Sequence, residues 1–240
     1  MSDYIREYYT EHYRGNKDSD TPRESIISLA RRSFQWIKDT GEGTILDIGA
    51  GKAAMEYELR NMVLGNTDTR KKLDQFHVVS LDLAEINPKY FRRTNENKLD
   101  IEPVQADSRL LPFRDGTFDR IVSNLALEFG GEEAFIEASR VLADRGTFSF
   151  NLQDPSIFEP DDEMGLKTNT PFGSVRDNLK MNSNAFTDET SIRSYLLQFG
   201  LNPVAITRKE VRQNDRVLSA WWEVDGTKNT LENSDLLTTE

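Results

Sequence analysis

The feature that most constrains the fold of this chain is a glycine-containing turn that joins a short apolar run to a helical pattern. Residues 44–48 are apolar apart from Thr44 and Asp47 and are bounded by glycines, which is typical of a buried parallel strand. Gly49 and Gly51 follow directly, and a helical pattern begins at residue 53. Glycines permit a tight turn and let a ligand approach bare backbone, while a helix N-terminus offers unpaired N–H groups. The pattern predicts a strand–turn–helix unit with a ligand site at the turn.

The alternation of strand and helix patterns continues beyond this unit. We expect further strands at residues 76–82, 104–107, 118–124 and 147–151, and a helix at residues 131–142. Strands that alternate with helices favour a parallel sheet that is covered on both faces and joined by right-handed crossovers.

The C-terminal part of the chain has a different pattern. A helix is expected over residues 188–199, with Asp188 at its start and Gly200 at its end. Strands are expected at residues 204–207 and 217–222, and the short polar turn between them favours an antiparallel hairpin. The expected fold is therefore α/β: a Rossmann-like parallel sheet with helices on both faces and a C-terminal antiparallel β-hairpin.

These elements form one expected domain, residues 1–225, followed by a polar tail at 226–240 that lacks periodicity and that we expect to be flexible. The expected parts of the domain are an N-terminal helical cap (1–41), a cofactor-binding core (42–154), a substrate loop or lid (155–185), and a C-terminal helix and hairpin (186–225).

Composition excludes several classes of function. The 240 residues are 37% hydrophobic and 30% charged, as in soluble globular proteins, and 30 Lys and Arg against 41 Asp and Glu give a net charge of -11. This field repels phosphate backbones and anionic membranes. The absence of cysteine excludes disulfides, thiolate nucleophiles and Cys-ligated metals, and with no apolar run long enough to span a membrane we expect a cytoplasmic protein.

The turn is compatible with two kinds of ligand: a dinucleotide, and a ligand that carries an ammonium group. Gly49, Gly51 and Ala54 fit the G-x-G-x-x-A spacing of dinucleotide-binding turns. Asp47 distinguishes the two, because a carboxylate at this point opposes a pyrophosphate and suits a ligand that carries an ammonium group.

With this acidic residue before G-x-G, the chain resembles the class I S-adenosylmethionine-dependent methyltransferases. Their cofactor is an amino acid joined to adenosine, with an ammonium, a carboxylate and a sulfonium but no phosphate. The sequence departs from the family's G-x-G-x-G at its last position, where Ala53 makes the turn bulkier.

The resemblance extends over residues 42–152. It implies that Asp82, at the end of the second strand, accepts both ribose hydroxyls, and that Asp107 lies beside the adenine amino group. Residues 111–119 resemble the family's link into the fourth strand, and residues 123–128 its lining of the far side of the cofactor. The implied S-adenosylmethionine-binding residues are Asp47, Gly49, Ala50, Gly51, Asp82, Leu83, Ala106, Asp107, Ser108 and Asn124.

Each polar member of this set also has a simpler interpretation. Asp47 and Asp82 could cap the helices that follow them, and Asp107 could be a turn residue. Asn124 could line the site or satisfy local backbone groups.

No catalytic residue is assigned from the sequence. Methyl transfer from a sulfonium needs alignment and exclusion of water, and it needs a general base only when the acceptor must lose a proton early. His77, at the start of the second strand, is expected to be structural. His12 lies among Tyr4, Tyr8, Tyr9 and Tyr13, and this segment either folds over the cofactor, as the resemblance implies, or packs as a helix on the core.

The acceptor is expected to be a small molecule. The acidic run at 161–163 is interpreted as a solvated loop, so no metal is expected. The Asn-Pro-Pro-aromatic motif of enzymes that methylate nucleobases or glutamine is absent after the fourth strand, and the net charge also disfavours nucleic acid.

The expected function is S-adenosylmethionine-dependent methyl transfer; alternatives are a non-catalytic S-adenosylmethionine-binding regulator, an NAD(P)-dependent oxidoreductase, and a methyltransferase acting on protein or RNA. The acceptor atom and the oligomeric state are left unassigned.

Overall fold

The computed structural model describes residues 24–84, 99–155, 169–170, 173–174, 186–214 and 216–229. Its helices are α1 (Glu24–Thr40), α2 (Ala54–Gly65), α3 (Thr67–Arg70), α4 (Gly131–Val141) and α5 (Glu189–Leu197). Its strands are β1 (Gly43–Ile48), β2 (Phe76–Asp82), β3 (Asp100–Gln105), β4 (Phe118–Asn124), β5 (Leu142–Gln153), β6 (Asn169–Thr170), β7 (Gly173–Ser174), β8 (Leu201–Gln213) and β9 (Arg216–Lys228). Two short 3-10 helices lie at Leu73–Gln75 and Leu127–Gly130.

Seven of these strands form one mixed sheet in the order β3-β2-β1-β4-β5-β9-β8. β1 to β5 are parallel, β9 runs antiparallel to β5, and β8 pairs antiparallel with β9. The strand order reverses between β1 and β4, so a crevice opens where these two strands end. We call the side of the sheet on which β1 to β5 end the carboxyl edge. The predicted fold class, including the C-terminal antiparallel hairpin, is confirmed.

The core lies in two layers, one on each face of the sheet. On one face, α1 and α2 bury Leu29, Ile37 and Leu59 against Ile45 and Phe76. Because β1 is buried on both faces, its residues can be almost continuously apolar, which explains why a short run without alternation forms the central strand.

On the other face, α4 and α5 enclose a cluster of aromatic rings. Phe135 is fully buried. Its ring stacks on that of Phe199, with 5.8 Å between the ring centroids, and it contacts the ring of Tyr195 edge-on at a centroid distance of 5.3 Å. Phe150 on β5 contacts the same ring edge-on at 6.3 Å. Aromatic pairs of this geometry add to the free energy gained by burial.

The helix that begins the C-terminal part is capped as predicted. The Asp188 side chain accepts a hydrogen bond from the backbone N–H of Ser191 at 2.9 Å, so it satisfies one of the free donors at the start of α5. Gly200, with φ of 72°, follows the helix.

The third strand begins and ends earlier in the sequence than predicted. β3 covers Asp100–Gln105 rather than 104–107, and Asp107 lies in the loop beyond it. β3 is an edge strand with several exposed side chains, so it lacks the apolar run that marks the central strands.

The predicted boundary of the flexible tail, residue 226, lies before the end of the sheet. β9 extends through Gly226 to Lys228, so residues 226–228 belong to the sheet. A Cβ at Gly226 would lie 2.4 Å from Phe148 Cζ and 2.3 Å from the Asn202 carbonyl oxygen. The glycine therefore allows a close contact in the core, which a search for periodicity cannot detect.

Several predicted features lie outside the described residues: His12, the four N-terminal tyrosines, the acidic run at 161–163 and most of the expected lid. No helix in the described ranges is long and apolar enough to cross a membrane.

We expect Phe135→Ala to lower the free energy of unfolding by about 3–5 kcal/mol, because it leaves a cavity among the aromatic rings. Its neighbour Ile136 is 52% exposed on the same helix, so Ile136→Ala should change stability by no more than about 0.5 kcal/mol. Urea unfolding of both variants measures the difference, and equal losses would contradict the packing described for α4.

Candidate functional site

The turn after β1 is held against both neighbouring strands. The backbone N–H groups of Gly49 and Ala50 donate to the Leu81 carbonyl oxygen at 2.8 and 3.0 Å. Gly49 has φ of 81°, and a Cβ placed on it would lie 2.2 Å from Ala126 Cβ, beyond the end of β4. The turn therefore needs glycine for its backbone conformation and for its packing, and it lies at the mouth of the crevice.

Ala53 has a left-handed backbone conformation, which glycine adopts more readily than residues with a Cβ. Its φ and ψ are 55° and 37°, in the left-handed region, although its side chain is buried. Left-handed backbone costs a residue with a Cβ about 1–2 kcal/mol. Ala53, which stands where the family has its third glycine, therefore holds this conformation at a cost in strain.

Asp47 lies beneath this turn, on the same face of the sheet as α2. It is only 2% exposed, and its charged neighbour on α2, Glu56, is itself fully buried. Burial raises the pKa of Asp47 well above its ordinary value, and the negative charges of Glu56 and Asp82 raise it further. Asp47 is therefore part of a group of buried carboxyls rather than a helix cap.

Asp82 joins the end of β2 to the glycine turn. One carboxylate oxygen accepts from the Gly51 N–H at 2.8 Å and the other from the Ala84 N–H at 2.8 Å. Burial raises the pKa of Asp82, and these backbone hydrogen bonds oppose the rise. The structure brings Asp82 into the site, where it also caps the segment that follows β2; its contact with ribose stays a prediction.

Asp107 has a strong local partner. Arg109 donates from Nε to Asp107 Oδ1 at 3.0 Å and from Nη2 to Oδ2 at 2.6 Å, which holds the pKa of Asp107 below its ordinary value. The Leu110 N–H also donates to the Asp107 carbonyl oxygen, so Asp107 is a turn residue in this structure. Its contact with adenine stays a prediction, and it would involve a carboxylate that is already paired.

The other predicted binding residues follow the same edge of the sheet. The Ala106 N–H donates to the Asp82 carbonyl oxygen at 3.0 Å, and Gln105 Nε2 donates to the Leu83 carbonyl oxygen at 3.1 Å. These bonds hold the loop that contains Ser108 beside the end of β2. The predicted set is thus gathered at the ends of β1, β2 and β3, with Asn124 at the end of β4.

Asn124 is held by the neighbouring strand. Its Oδ1 accepts from Asn151 Nδ2 at 2.9 Å, and the next residue, Leu125, donates its N–H to the Asn151 carbonyl oxygen at 2.8 Å. Leu125 has φ of 53°, so the chain turns sharply as it leaves β4. The local role of Asn124 is therefore observed, and its contact with the cofactor stays a prediction.

Sequence reasoning did not single out Glu128, which lies in the 3-10 helix after β4. Glu128 is 2% exposed, and its Oε1 accepts from the Gln153 N–H at 3.0 Å at the end of β5. Within the described part of the chain its Oε2 has no hydrogen-bond partner. Burial raises the pKa of Glu128 to about 7. The sequence signal was an acidic residue within the segment 123–128, which resembles the family's lining of the far side of the cofactor.

His77 lies at the opposite end of β2 from the turn, as predicted. Its Nδ1 is 2.7 Å from Asp100 Oδ2, and its Nε2 is 3.3 Å from Glu102 Oε2. Both partners are on β3, so the histidine links two neighbouring strands at a distance from the site.

We expect Ala53→Gly to stabilise the protein by about 0.5–1 kcal/mol, because glycine adopts the left-handed conformation without strain at some cost in unfolded-state entropy. Ala54→Gly, one residue later at the start of α2, should instead destabilise it by up to about 1 kcal/mol. Thermal or urea unfolding of the two variants tests this difference in sign, and destabilisation by both would contradict strain at Ala53.

The sequence of this chain is similar to those of known methyltransferases. Residues 46–150 match a family model described as a methyltransferase domain. Malonyl-[acyl-carrier protein] O-methyltransferase of Geobacter sulfurreducens is 27% identical over 185 residues, which are 76% of this chain; the match spans 62% of that relative's length.

Solved structures show the same fold over most of the chain. The 1,6-didemethyltoxoflavin-N1-methyltransferase of Burkholderia thailandensis, with bound S-adenosylhomocysteine, matches with a TM-score of 0.60 at 16% identity, over 94% of this chain and 88% of that one. The N-methyltransferase NodS of Bradyrhizobium japonicum, also in complex with S-adenosylhomocysteine, matches with a TM-score of 0.59 at 17% identity, over 95% of this chain and 100% of that one. With its glycine turn and strand order, this chain is similar to the class I methyltransferases, and the part that matches the methyltransferase domain is residues 46–150.

Proposed function

We propose that this chain transfers the methyl group of S-adenosylmethionine to a nitrogen or oxygen atom of a small molecule, and that Glu128 accepts the proton that this atom loses. The observation that carries the proposal is the position of Glu128. It is a buried carboxyl at the carboxyl edge, with one oxygen held by Gln153 and the other without a partner among the described residues.

The residues of the turn fit this cofactor. Gly49 and Gly51 let a ligand approach the backbone, and Asp47 has a buried oxygen, Oδ1, for which the described residues supply no hydrogen-bond donor. An ammonium group would compensate such an oxygen, whereas a pyrophosphate would be repelled by it. When bound, the cofactor supplies a methyl group on a sulfonium, which a nucleophile attacks in line while a neutral thioether leaves.

Glu128 is suited to removing a proton near neutral pH. A general base works best when its pKa is close to the working pH, and burial raises the pKa of Glu128 to about 7. The Gln153 N–H fixes one oxygen, so the carboxyl is oriented before an acceptor arrives. An acceptor that must lose an N–H or O–H proton early needs such a proton acceptor, and a carboxylate acceptor does not.

Two further observations support a small molecule that is not a polyanion. The net charge of -11 opposes the approach of nucleic acid. The structural relatives from Burkholderia thailandensis and Bradyrhizobium japonicum are N-methyltransferases by name, which agrees with a nitrogen acceptor. The Geobacter sulfurreducens relative is an O-methyltransferase for a malonyl-acyl carrier protein, so a carrier-bound carboxylate is the second candidate acceptor.

We expect S-adenosylhomocysteine to bind the purified protein in a calorimetric titration, and NAD and NADP not to bind. Asp82→Ala should weaken this binding at least tenfold while circular dichroism stays unchanged, because the variant loses the carboxylate that ends β2 and holds Gly51. Asp119→Ala is the matched control. Asp119 bonds to Thr44 at the start of β1, away from the turn. Binding of NAD or NADP without binding of S-adenosylhomocysteine would contradict the assignment of S-adenosylmethionine as the cofactor.

A panel of acceptors tests the proposed reaction. S-adenosylhomocysteine release is measured with small amines, phenols and N–H heterocycles, and separately with a malonyl-acyl carrier protein. With a responding N–H or O–H acceptor, Glu128→Gln should lower kcat by about 10²–10⁴-fold and remove the inflection near pH 7. Glu132→Gln, an exposed change on α4, should have neither effect. Turnover of the carrier-bound carboxylate alone, unaffected by Glu128→Gln, would contradict the proposal and favour the second candidate.

The raised pKa of Glu128 also has a consequence for stability. The folded state holds the proton more tightly than the unfolded state, so the contribution of Glu128 to stability falls as pH rises from about 4.5 to 7. Glu128→Gln should therefore gain stability relative to the native protein across this interval. Urea unfolding at several pH values measures the gain, and a constant difference would contradict a buried, uncompensated carboxyl.

A further inference from the structure

Two asparagines lie side by side near the ends of β4 and β5, on the face of the sheet that α1 covers. The register of the sheet pairs Asn124 on β4 with Asn151 on β5. Asn151 is fully buried, whereas Asn124 is half-buried at the crevice between β1 and β4. A carboxamide has a hydrogen-bond acceptor on one side and a donor on the other, so its orientation decides what it offers to a ligand.

Two partners from α1 fix the orientation of Asn151. Arg32 Nη2 donates to Asn151 Oδ1, and a guanidinium group cannot accept a hydrogen bond, so the amide oxygen must face Arg32. Asn151 Nδ2 donates to the Ser25 carbonyl oxygen at 2.7 Å, and a carbonyl group cannot donate, so the amide nitrogen must face Ser25. The opposite orientation would set donor against donor and acceptor against acceptor, so both partners require the same one.

Asn151 in turn fixes the orientation of Asn124. The Nδ2 group of Asn151 also donates to Asn124 Oδ1, at 2.9 Å, so the oxygen of Asn124 must face β5. Among the residues that the structure describes, Asn124 Nδ2 has no hydrogen-bond acceptor. Asn124 follows the paired residues Ile48 and Ser123, so its free amide NH₂ group lies level with the start of the glycine turn.

A free amide donor at this point suits an anionic group of the cofactor. The amino acid part of the cofactor carries an ammonium group, which can only donate hydrogen bonds, and a carboxylate, which can only accept them. Asp47 on β1 has the buried oxygen that suits the ammonium group. The carboxylate is bonded to the same carbon atom as the ammonium group, and β4 is the strand beside β1, so Asn124 is the neighbouring donor.

We propose that Asn124 binds the carboxylate of the cofactor through its amide NH₂ group, and that Asn151 is the positioning residue that gives Asn124 this orientation. The inference rests on the cofactor assignment and deepens it, because it names the donor and the cofactor group that it recognises. A merely structural Asn151 would affect all ligands of the site alike. A positioning residue affects the ligands that carry the carboxylate.

Calorimetric titration of the full chain with two ligands tests the contact. One is S-adenosylhomocysteine, and the other is decarboxylated S-adenosylhomocysteine, which keeps the ammonium group, the thioether and the nucleoside. We expect the native protein to bind S-adenosylhomocysteine about 10- to 100-fold more tightly, because it alone offers a charged acceptor to the Asn124 amide. We call this ratio of affinities the carboxylate preference.

Asn124→Asp is the direct variant. It keeps the oxygen that accepts from Asn151 and places a negatively charged oxygen where the amide nitrogen was. Because this oxygen repels a carboxylate and attracts an ammonium group, the carboxylate preference should fall at least about tenfold. Asn202→Asp is the matched control. It makes the same chemical change at the start of β8, on the edge strand of the sheet, and should leave the preference unchanged.

Asn151→Asp tests the positioning role. It turns an oxygen instead of a nitrogen toward Asn124, so the Asn124 amide should rotate and present its own oxygen to the ligand. The carboxylate preference should again fall about tenfold, although residue 151 is buried behind Asn124. Asn151→Ala, which leaves Asn124 free to rotate, is the second variant and should lower the preference by a smaller factor. Circular dichroism shows whether each variant folds.

The outcomes distinguish the inference from the assignment on which it rests. Equal affinity of the native protein for the two ligands, or equal weakening of both by Asn124→Asp, would overturn the contact with the carboxylate. Folded Asn151 variants that keep the native preference would overturn the positioning role. A native protein that binds neither ligand would overturn the cofactor assignment as well.

Discussion

The hydrogen bond from the Gly51 N–H to the Asp82 carboxylate ties together the parts on which the site depends. It joins the turn after β1 to the end of β2, and the Leu81 carbonyl oxygen adds two further bonds from the same turn. On the other side, Gly49 packs against Ala126 at a distance that excludes any side chain. The turn is thus fixed between two neighbouring strands before a ligand arrives, which lowers the entropic cost of binding.

A polar network connects α1 with the other side of the crevice. Arg32 on α1 donates to Asp225 on β9 at 3.0 Å and also to Asn151 on β5. Asn151 donates in turn to the Ser25 carbonyl oxygen at 2.7 Å and to Asn124 at the end of β4. Because such bonds are directional, they orient α1 on the sheet more narrowly than apolar packing would. The position of Asn124 in the site therefore depends on a helix that is distant in the sequence.

The site contains buried carboxyls that the described residues hydrogen-bond only in part. Asp47, Glu56 and Glu128 are all removed from water with at least one oxygen lacking a donor among the described residues, and this arrangement costs stability. All three lie on elements that meet at the carboxyl edge. Groups with raised pKa values concentrate at functional sites because chemistry near neutral pH requires them.

The sequence by itself determined the fold class, most of the strands of the sheet, the glycine turn and the set of residues at the ends of β1 to β4. These features follow from local patterns: apolar runs, glycines at a turn and acidic residues at the ends of strands. The sequence did not predict the full extent of β3 and β9. β3 is a polar edge strand, and Gly226 belongs to the core through a contact that has no local pattern. Only the tertiary structure placed Glu56 near Asp47 and buried Glu128 with one oxygen bonded to the Gln153 N–H. The reason is that the pKa of a carboxyl and the partners of its oxygens depend on burial and on residues from other elements, which no single segment of sequence contains.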